Sequence, residues 1–393
     1  MRKGLMVQFP VGRTRDYVCK NIGDYIQSVA TRQYVYPIDQ LIEQEEVDLY
    51  HSPDGRKIRL IMNGWFQWRS ANWPPTDDIC PLLVSMHISP LKANDLLTPK
   101  GIKFLKENGP VGCRDTWTLD LLKRNGIPAY FSGCVTLTLG KVFRVQDKER
   151  EGFYFVDPYF KIPPLYEEKD NCIILNKNRF NEFIEIYSNK STVINSLAKR
   201  SFFKDYLPTG FLDRNTEYYN PYYKAVCFYK VYSKKFSDDF LLQANYVTHW
   251  LDIDMHHDTN EDMLRIAEKL VRKYASAKMV ITSRIHAGLP CLGMGTPVIF
   301  IASEEVTSEN STFNVPGRLG GLLDFFRILN LKDGDFYSED EILNKINKFT
   351  ENTTFANKNN WKPYANRIDR QLSAFMSDDF KETDIPKVRN LSY

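Results

Sequence analysis

Arg284 and His286 stand two residues apart where the apolar run "KMVITS" gives way to "HAGLPCLGMG". In the turn from a buried strand into a helix, free backbone N–H groups and the positive end of the helix dipole favour anions. An arginine there adds a planar fork for a carboxylate or phosphate, and a histidine adds a group that titrates near neutrality. Together they describe an anion site that can also move a proton, whereas a lone histidine would as readily be structural. Two further strand-to-helix turns carry polar groups. In "GCRDTWT", Arg114 and Asp115 are either a second anion fork or a surface pair that contributes little. In "NIGDYIQSVATRQYV", Asn21, Gly23 and Asp24 either cap a helix through side-chain oxygens or turn a carboxylate toward a ligand.

Other stretches carry a weaker signal. "SGCVTLTL" offers hydroxyls at Ser132, Thr136 and Thr138, which a strand and linker would explain equally well. "NGWFQWRSANWPP" gathers three tryptophans, as a core edge or a platform for a sugar, and His87 in "SMHIS" either reaches a cleft or caps the sheet. In "HWLDIDMHHD", His249, His256 and His257 lie among carboxylates; the spacing fits no HExxH-type metal motif, and a solvated polar loop is the expectation. The seven cysteines, at 19, 80, 113, 134, 172, 227 and 291, form no CxxC pair, which favours reduced thiols over a disulfide framework or structural zinc.

The elements that must position these groups alternate. Strands are expected at "GLMVQFP", "IRLIMNGW", "PLLVSMHI", "GPVGC" and "IPAYFSGC". Helices are expected near 23–35, 98–108 and in "TWTLDLLKRNG", which ends on Gly126. Such an order implies a mostly parallel sheet covered on both faces. The charged stretch "KVFRVQDKERE" marks a domain boundary, after which "GFYFVDP", the periodic helix "NEDMLRIAEKLVRKYASA", "KMVITS", "HAGLPCLGMG" and "TPVIFIA" resume the alternation. Between them, "NKSTVINSLAKRSFFKDYLP" is helical, while the aromatic stretch after it has no regular period. Helices are also predicted near 320–330, 338–349 and 361–380. The expected division is 1–145, 146–350 and a helical segment 351–393 that packs back on the first part.

A chain of 393 residues suits two or three domains. With 52 basic against 49 acidic residues it carries no global nucleic-acid signature. No apolar run approaches the roughly 20 residues of a membrane span, and the N-terminus lacks a signal-peptide segment, so a soluble cytoplasmic protein is expected. The basic, aromatic "YYKAVCFYKVYSKKF" is either an amphipathic core element or a contact for the inner face of a membrane.

Taken in order, "NIGDYIQSVATRQYV", "NGWF", "SMHIS", "GPVGCRDTWTLDLLKRNGIPAYFSGCVTLTL" and "ASAKMVITSRIHAGLPCLGMGTPVIF" resemble the polysaccharide pyruvyl transferase family. The resemblance covers most of 15–140 and 245–302 and is weak across 150–245 and beyond about 320. It implies an α/β fold of two Rossmann-like domains with an interdomain cleft, as in glycosyltransferase-B enzymes. It also implies transfer of the pyruvyl group of phosphoenolpyruvate onto two hydroxyls of one sugar, with phosphate released. The acceptor would be a surface polysaccharide precursor, often lipid-linked.

Carried onto this chain, Arg284 and His286 fall on the family's Arg-x-His motif, Arg114 on its Arg-Asp motif and Asp24 on its Asn-x-Gly-Asp motif. The catalytic set is then His286, Arg284 and Asp24. Donor binding falls to Arg114, Arg284, Ser283 and Arg318, and acceptor binding to Asn21, Asn63, Trp65, His87, Ser132 and Thr136. No metal and no cofactor beyond the donor is expected, and oligomeric state is left open. The rivals are a sugar-nucleotide glycosyltransferase of the same plan, with Glu304 or Glu305 on a ribose, and a noncatalytic glycan-binding protein.

Overall fold

A strand covered on both faces reads as an unbroken apolar run, and most of the runs named above are strands of two parallel sheets. The computed structural model describes residues 1–8, 21–66, 73–169, 172–205, 220–250, 259–303 and 319–391. In the first sheet, β1 (Arg2–Val7), β2 (Gln40–Glu43), β3 (Ile58–Met62) and β4 (Ile79–Leu83) lie parallel in the order β2-β1-β3-β4. A parallel bridge from Met86 to Cys113 extends it to β5 (Val111–Cys113), which pairs in parallel with β6 (Ala129–Phe131).

In the second half, β7 (Phe153–Val156) is followed by an antiparallel hairpin of β8 (Tyr166–Lys169) and β9 (Cys172–Leu175). Then come β10 (Asn245–Val247), β11 (Met279–Thr282), β12 (Val298–Ser303), β13 (Arg327–Lys332) and β14 (Asp335–Tyr337). The sheet order is β10-β7-β11-β12-β13-β14, parallel except for the last pair.

The helices complete the layers. In the first half these are α1 (Ile22–Arg32), α2 (Ala93–Leu96), α3 (Pro99–Glu107), α4 (Thr116–Arg124) and α5 (Gly140–Phe143). An insertion between β9 and β10 holds α6 (Lys177–Ala198), α7 (Ser201–Asp205), α8 (Pro221–Tyr232) and α9 (Asp238–Gln243). Beyond it, α10 (Asn260–Ser276) and α11 (Ile285–Met294) flank β11. Alternate strand residues face different cores. Leu5 and Val7 of β1 join Val280 of β11 and Phe300 of β12 in one apolar cluster, while Met6 belongs to a second on the outer face of the first sheet and Ile281 to a third under the insertion. Helices α1, α10 and α11 fill the shared middle cluster.

Three local expectations are corrected. Residues 320–330 are not a helix: Leu322, Leu323, Phe325, Phe326 and Leu329 satisfy helical spacing, but only a short turn at Leu323–Phe325 forms before the chain pairs with β12 as β13. The helix expected over 338–349 shrinks to Glu341–Lys345, started by the Asp340 side chain, because Phe349 bridges to Phe236. The aromatic stretch without a period contains α8, begun by Pro221 and capped by Asn220. It is apolar around its circumference and buried from Tyr223 to Tyr229, as a helix with no single wet face must be. The basic aromatic motif is therefore mainly core.

The C-terminal helix Lys362–Met376 returns to the first sheet. There the buried Arg59 donates to the carbonyls of Phe375 and Ser377 at 2.7 and 2.8 Å, and Tyr130 donates to Gln371 at 2.8 Å. Among the described residues no helix is long and apolar enough to cross a membrane, and the six described cysteines are free.

Candidate active site

The turn from β11 into α11 is pinned by its own hydroxyls. Thr282 Oγ1 donates to Val156 O at 2.7 Å and accepts from Arg284 N at 2.9 Å. Ser283 Oγ accepts from Tyr159 N at 2.9 Å and donates to Ile301 O at 2.8 Å, so its hydroxyl ties the ends of three neighbouring strands together. Arg284 then occupies the N-cap position of α11 with extended backbone. Its Nε donates to Asp157 Oδ2 at 3.1 Å and its guanidinium lies 5.5 Å from the centre of the Trp250 ring. Asp157, buried at the end of β7 with φ +40°, also accepts from His249 N at 2.9 Å. One carboxylate thus holds the inner edge of the fork, and the Nη groups make no hydrogen bond to the described residues.

Helix α1 arrives from the first sheet and meets this turn with its own N-terminus. Asn21 is the N-cap, its Oδ1 accepting from Gly23 N at 3.1 Å, and Ile22 N donates to His249 O at 2.9 Å. The approach is so close that a Cβ on Gly23 would sit 3.0 Å from His249 Nδ1 and 3.2 Å from His286 Cβ, which only glycine avoids. One residue on, Asp24 Oδ1 lies 3.7 Å from His286 Nδ1, with the two side chains 12% and 3% exposed. Two helix N-termini, one carboxylate and one imidazole therefore converge, and the paired dipoles give the point a positive potential.

The neighbouring His249 is a different group. Its Nε2 is 2.8 Å from Tyr274 OH, and burial pushes its pKa down from 6.5 to about 4. Tyr274, whose own pKa burial raises well above normal, keeps its proton, and His249, with its pKa near 4, is neutral at physiological pH. The expected solvated loop is corrected here: His249 is 1% exposed. His256 and His257 lie outside the described residues, as does Arg318.

A second row of polar groups closes the carboxyl ends of the first sheet, where ligands of open parallel sheets bind. Gln8 follows β1, Asn63 follows β3, Ser85 follows β4 and Arg114 follows β5, all at most 2% exposed. Among the described residues, Gln8 Nε2, both polar side-chain atoms of Asn63, Ser85 Oγ, and Nε and Nη2 of Arg114 have no hydrogen-bond partner. A buried polar atom left unpaired costs about 1–3 kcal/mol, so such a row is a place prepared for polar contacts from something else. Ser85 has φ +56°, a strained conformation that fits a functional position.

Beside that row His87 Nδ1 lies 2.6 Å from Asp115 Oδ2, both side chains fully buried, and the Trp65 ring stacks on His87 with centroids 5.8 Å apart. Asp115 also caps α4 through Thr118 N at 2.9 Å. Burial opposes its ionisation, but His87 and then Arg114 outweigh that and hold its pKa below the usual carboxylate value. Of the predicted hydroxyls, Ser132 Oγ donates to Cys113 O and accepts from Ser85 N, and Thr136 Oγ1 donates to Cys134 Sγ at 3.2 Å. Both serve the scaffold of the turn. Trp73 packs on Phe66 and Phe104 as core.

Sequence reasoning missed Asp157, Trp250, Tyr274, Gln8 and Ser85. An Asp-Pro step closing a strand was the available signal for Asp157; the others carried none. Among the described residues no three His, Cys, Asp or Glu side chains come together as a metal site.

A family model described as polysaccharide pyruvyl transferase matches residues 21–305, a span that holds α1, β5, β11 and α11. No curated protein and no solved structure matches the chain.

Proposed function

Because the chain belongs to the polysaccharide pyruvyl transferase family, and so is an enzyme of pyruvyl transfer in polysaccharide chemistry, we propose that its donor is phosphoenolpyruvate. The acceptor is a pair of hydroxyls on one sugar, of galactose or N-acetylmannosamine type, in a surface polysaccharide precursor. The two-sheet arrangement supports a glycosyltransferase-B-like plan in which the first half, 1–145, receives the acceptor and the second, 146–350, the donor.

The convergence of Asp24 and His286 at 3.7 Å carries the proposal. Ketal formation needs three proton transfers: one to C3 of the enol and one from each of the two acceptor hydroxyls. An acceptor hydroxyl attacks C2 of the enol while C3 takes a proton; a second hydroxyl then displaces phosphate at C2, and its proton leaves with the phosphate or returns to the acid. His286 supplies the proton to C3 and Asp24 takes that of the attacking hydroxyl, because each is held beside the other with little water between them. Arg284, fixed by Asp157 and Trp250, takes one anionic end of the donor; the buried guanidinium of Arg114 takes the other. Asn63, Trp65 and His87 are assigned to the sugar, and Asn21, Ser132, Thr136 and Ser283 support it indirectly by fixing the turns.

Phosphate release from phosphoenolpyruvate, measured with galactose- and mannosamine-terminated acceptors, tests the assignment. His286→Ala and Arg284→Ala should each abolish acceptor-dependent release in a folded protein. Should phosphoenolpyruvate fail to bind by calorimetry, the donor assignment is wrong and sugar nucleotides become the ligands to try.

A further inference from the structure

The carboxyl edge of the first sheet carries more polar groups than the transfer chemistry uses. In the order β2-β1-β3-β4-β5, each strand is followed within two residues by a buried polar side chain: Gln44, Gln8, Asn63, Ser85 and Arg114, none more than 2% exposed. With neighbouring strands about 4.8 Å apart, the four steps make a row about 19 Å long. A three-carbon donor held by Arg114 fills only part of that length. The two ends differ in chemistry. Ser85 and Arg114 form a cationic end suited to an anion. At the other end Val7 pairs with Glu43, so Gln8 and Gln44 stand side by side. Gln44 Nε2 donates to Glu45 Oε1 at 3.0 Å and to Trp65 O at 3.2 Å, whereas Gln44 Oε1 and Gln8 Nε2 have no partner among the described residues.

Two further observations point to a ligand at this amide end. A Cβ on Gly64 would overlap Gln44 Oε1 and lie 3.5 Å from Gln8 Oε1, so a glycine clears the space in which both amides lie. The place is also the one that open parallel sheets use. From β1 the chain passes through α1 to β2 on one side, then crosses to β3 on the other; α1 covers the inner face, while Leu105 of α3 and Leu122 of α4 belong to the outer cluster. The crevice at such a reversal is where ligands bind, and Gln8 and Asn63 flank it. Unpaired amide N–H and C=O groups match the hydroxyl or acetamido groups of a sugar, and Trp65 beside them matches the apolar face of its ring. A carboxylate or phosphate there would meet the buried Glu45 carboxyl group instead.

We infer, building on the first half as the acceptor side, that Gln8 and Gln44 together with Asn63 determine acceptor specificity by reading the hydroxyl or acetamido groups of an uncharged sugar. Saturation-transfer nuclear magnetic resonance, without donor, tests the binding. The probes are methyl galactoside and methyl N-acetylmannosaminide, each beside the uronic acid of the same ring. A neutral member should bind wild type and its acidic counterpart should not. Gln8→Met, which keeps the length of the side chain and removes the unpaired N–H, should weaken the neutral sugar about three- to tenfold. Phosphoenolpyruvate affinity, read by calorimetry, should stay as in wild type. Gly64→Ala, which displaces the Gln44 amide, should weaken the sugar in the same way.

Stability separates a binding amide from a structural one. Methionine replaces a buried donor that has no partner, so Gln8→Met should unfold at the same or a higher denaturant concentration than wild type. A loss of stability with sugar binding unchanged would show that the amide serves the fold, and would overturn the inference. So would binding of none of the four sugars, equal binding of the acidic sugars, or a fall in phosphoenolpyruvate affinity in place of sugar affinity. Sugar binding that Gln8→Met weakens, in a protein that does not bind phosphoenolpyruvate, would uphold the subsite and remove the donor assignment alone.

Discussion

Arg284 is useful as an anion fork only while its plane is fixed, and the fixing group is Asp157, whose Oδ2 takes both Arg284 Nε and His249 N. Asp157→Asn keeps the volume and removes the charge. A charge-assisted hydrogen bond is worth about 1.5–3 kcal/mol, so affinity for phosphoenolpyruvate is expected to fall about tenfold or more. Calorimetry reads this directly, and unchanged affinity would mean that Trp250 alone orients the fork. His249 offers a second test at the same scale. Its folded pKa is about 4 against 6.5 for an unperturbed imidazole. Between those values the unfolded chain holds the proton and the folded one does not, so stability falls as pH is lowered through that interval and is unaffected above it. The loss amounts to about 3 kcal/mol when complete. Urea denaturation across the interval should show a drop that His249→Gln flattens; an identical drop in that variant would assign it to other groups.

Helix α11 is the element on which the site depends, because it carries His286 and is buried along nearly its whole length between the two halves of the molecule. It fits there by lacking side chains where backbone comes close: a Cβ on Gly293 would lie 2.5 Å from Leu137 O, and one on Gly140 would lie 2.1 Å from Gly293 O. Neither obstacle is a flexible side-chain tip. Gly293→Ala must therefore push α11 away from the Leu137 turn, at a cost of about 1–3 kcal/mol. Since His286 rides on the same helix, activity should fall further than stability alone explains at a temperature where the variant remains folded. Full activity in a folded Gly293→Ala protein would show that His286 tolerates the shift.

Elements of this kind also mark what the sequence made legible. The strands buried on both faces, the amphipathic α10 and the helix starts at Asn21 and Asp115 announce themselves through apolar runs, period and capping residues. α8 does not, since a helix buried all round from Tyr223 to Tyr229 leaves no wet face from which to read a period, and β13 was masked by leucines and phenylalanines that happen to suit a helix. In the site, Arg284, His286 and Asp24 were legible as residues at turns. Asp157 and Trp250 were not, because their importance comes from where β7 and β10 end in space.

At the scale of the whole molecule, one apolar cluster joins what two sheets would otherwise separate. It runs from Leu5 and Val7 of β1 through α1, α10 and α11 to Val298 and Phe300 of β12, and on to Ile368 and Phe375 of the C-terminal helix. Neither sheet can lose its inner cover without exposing the inner face of the other, so the two halves should unfold together despite a length that usually divides into independent domains. Cys172 gives a means of seeing this. It is exposed on the hairpin of the second half, whereas the other five described cysteines are buried. With Cys19→Ser in place, a fluorophore on Cys172 reports the second half while far-ultraviolet circular dichroism reports both. Coincident denaturation curves from the two signals are expected. A label transition that precedes the loss of helix would mean that the insertion and its sheet come away first, and that the shared cluster couples the halves less strongly than its continuity implies.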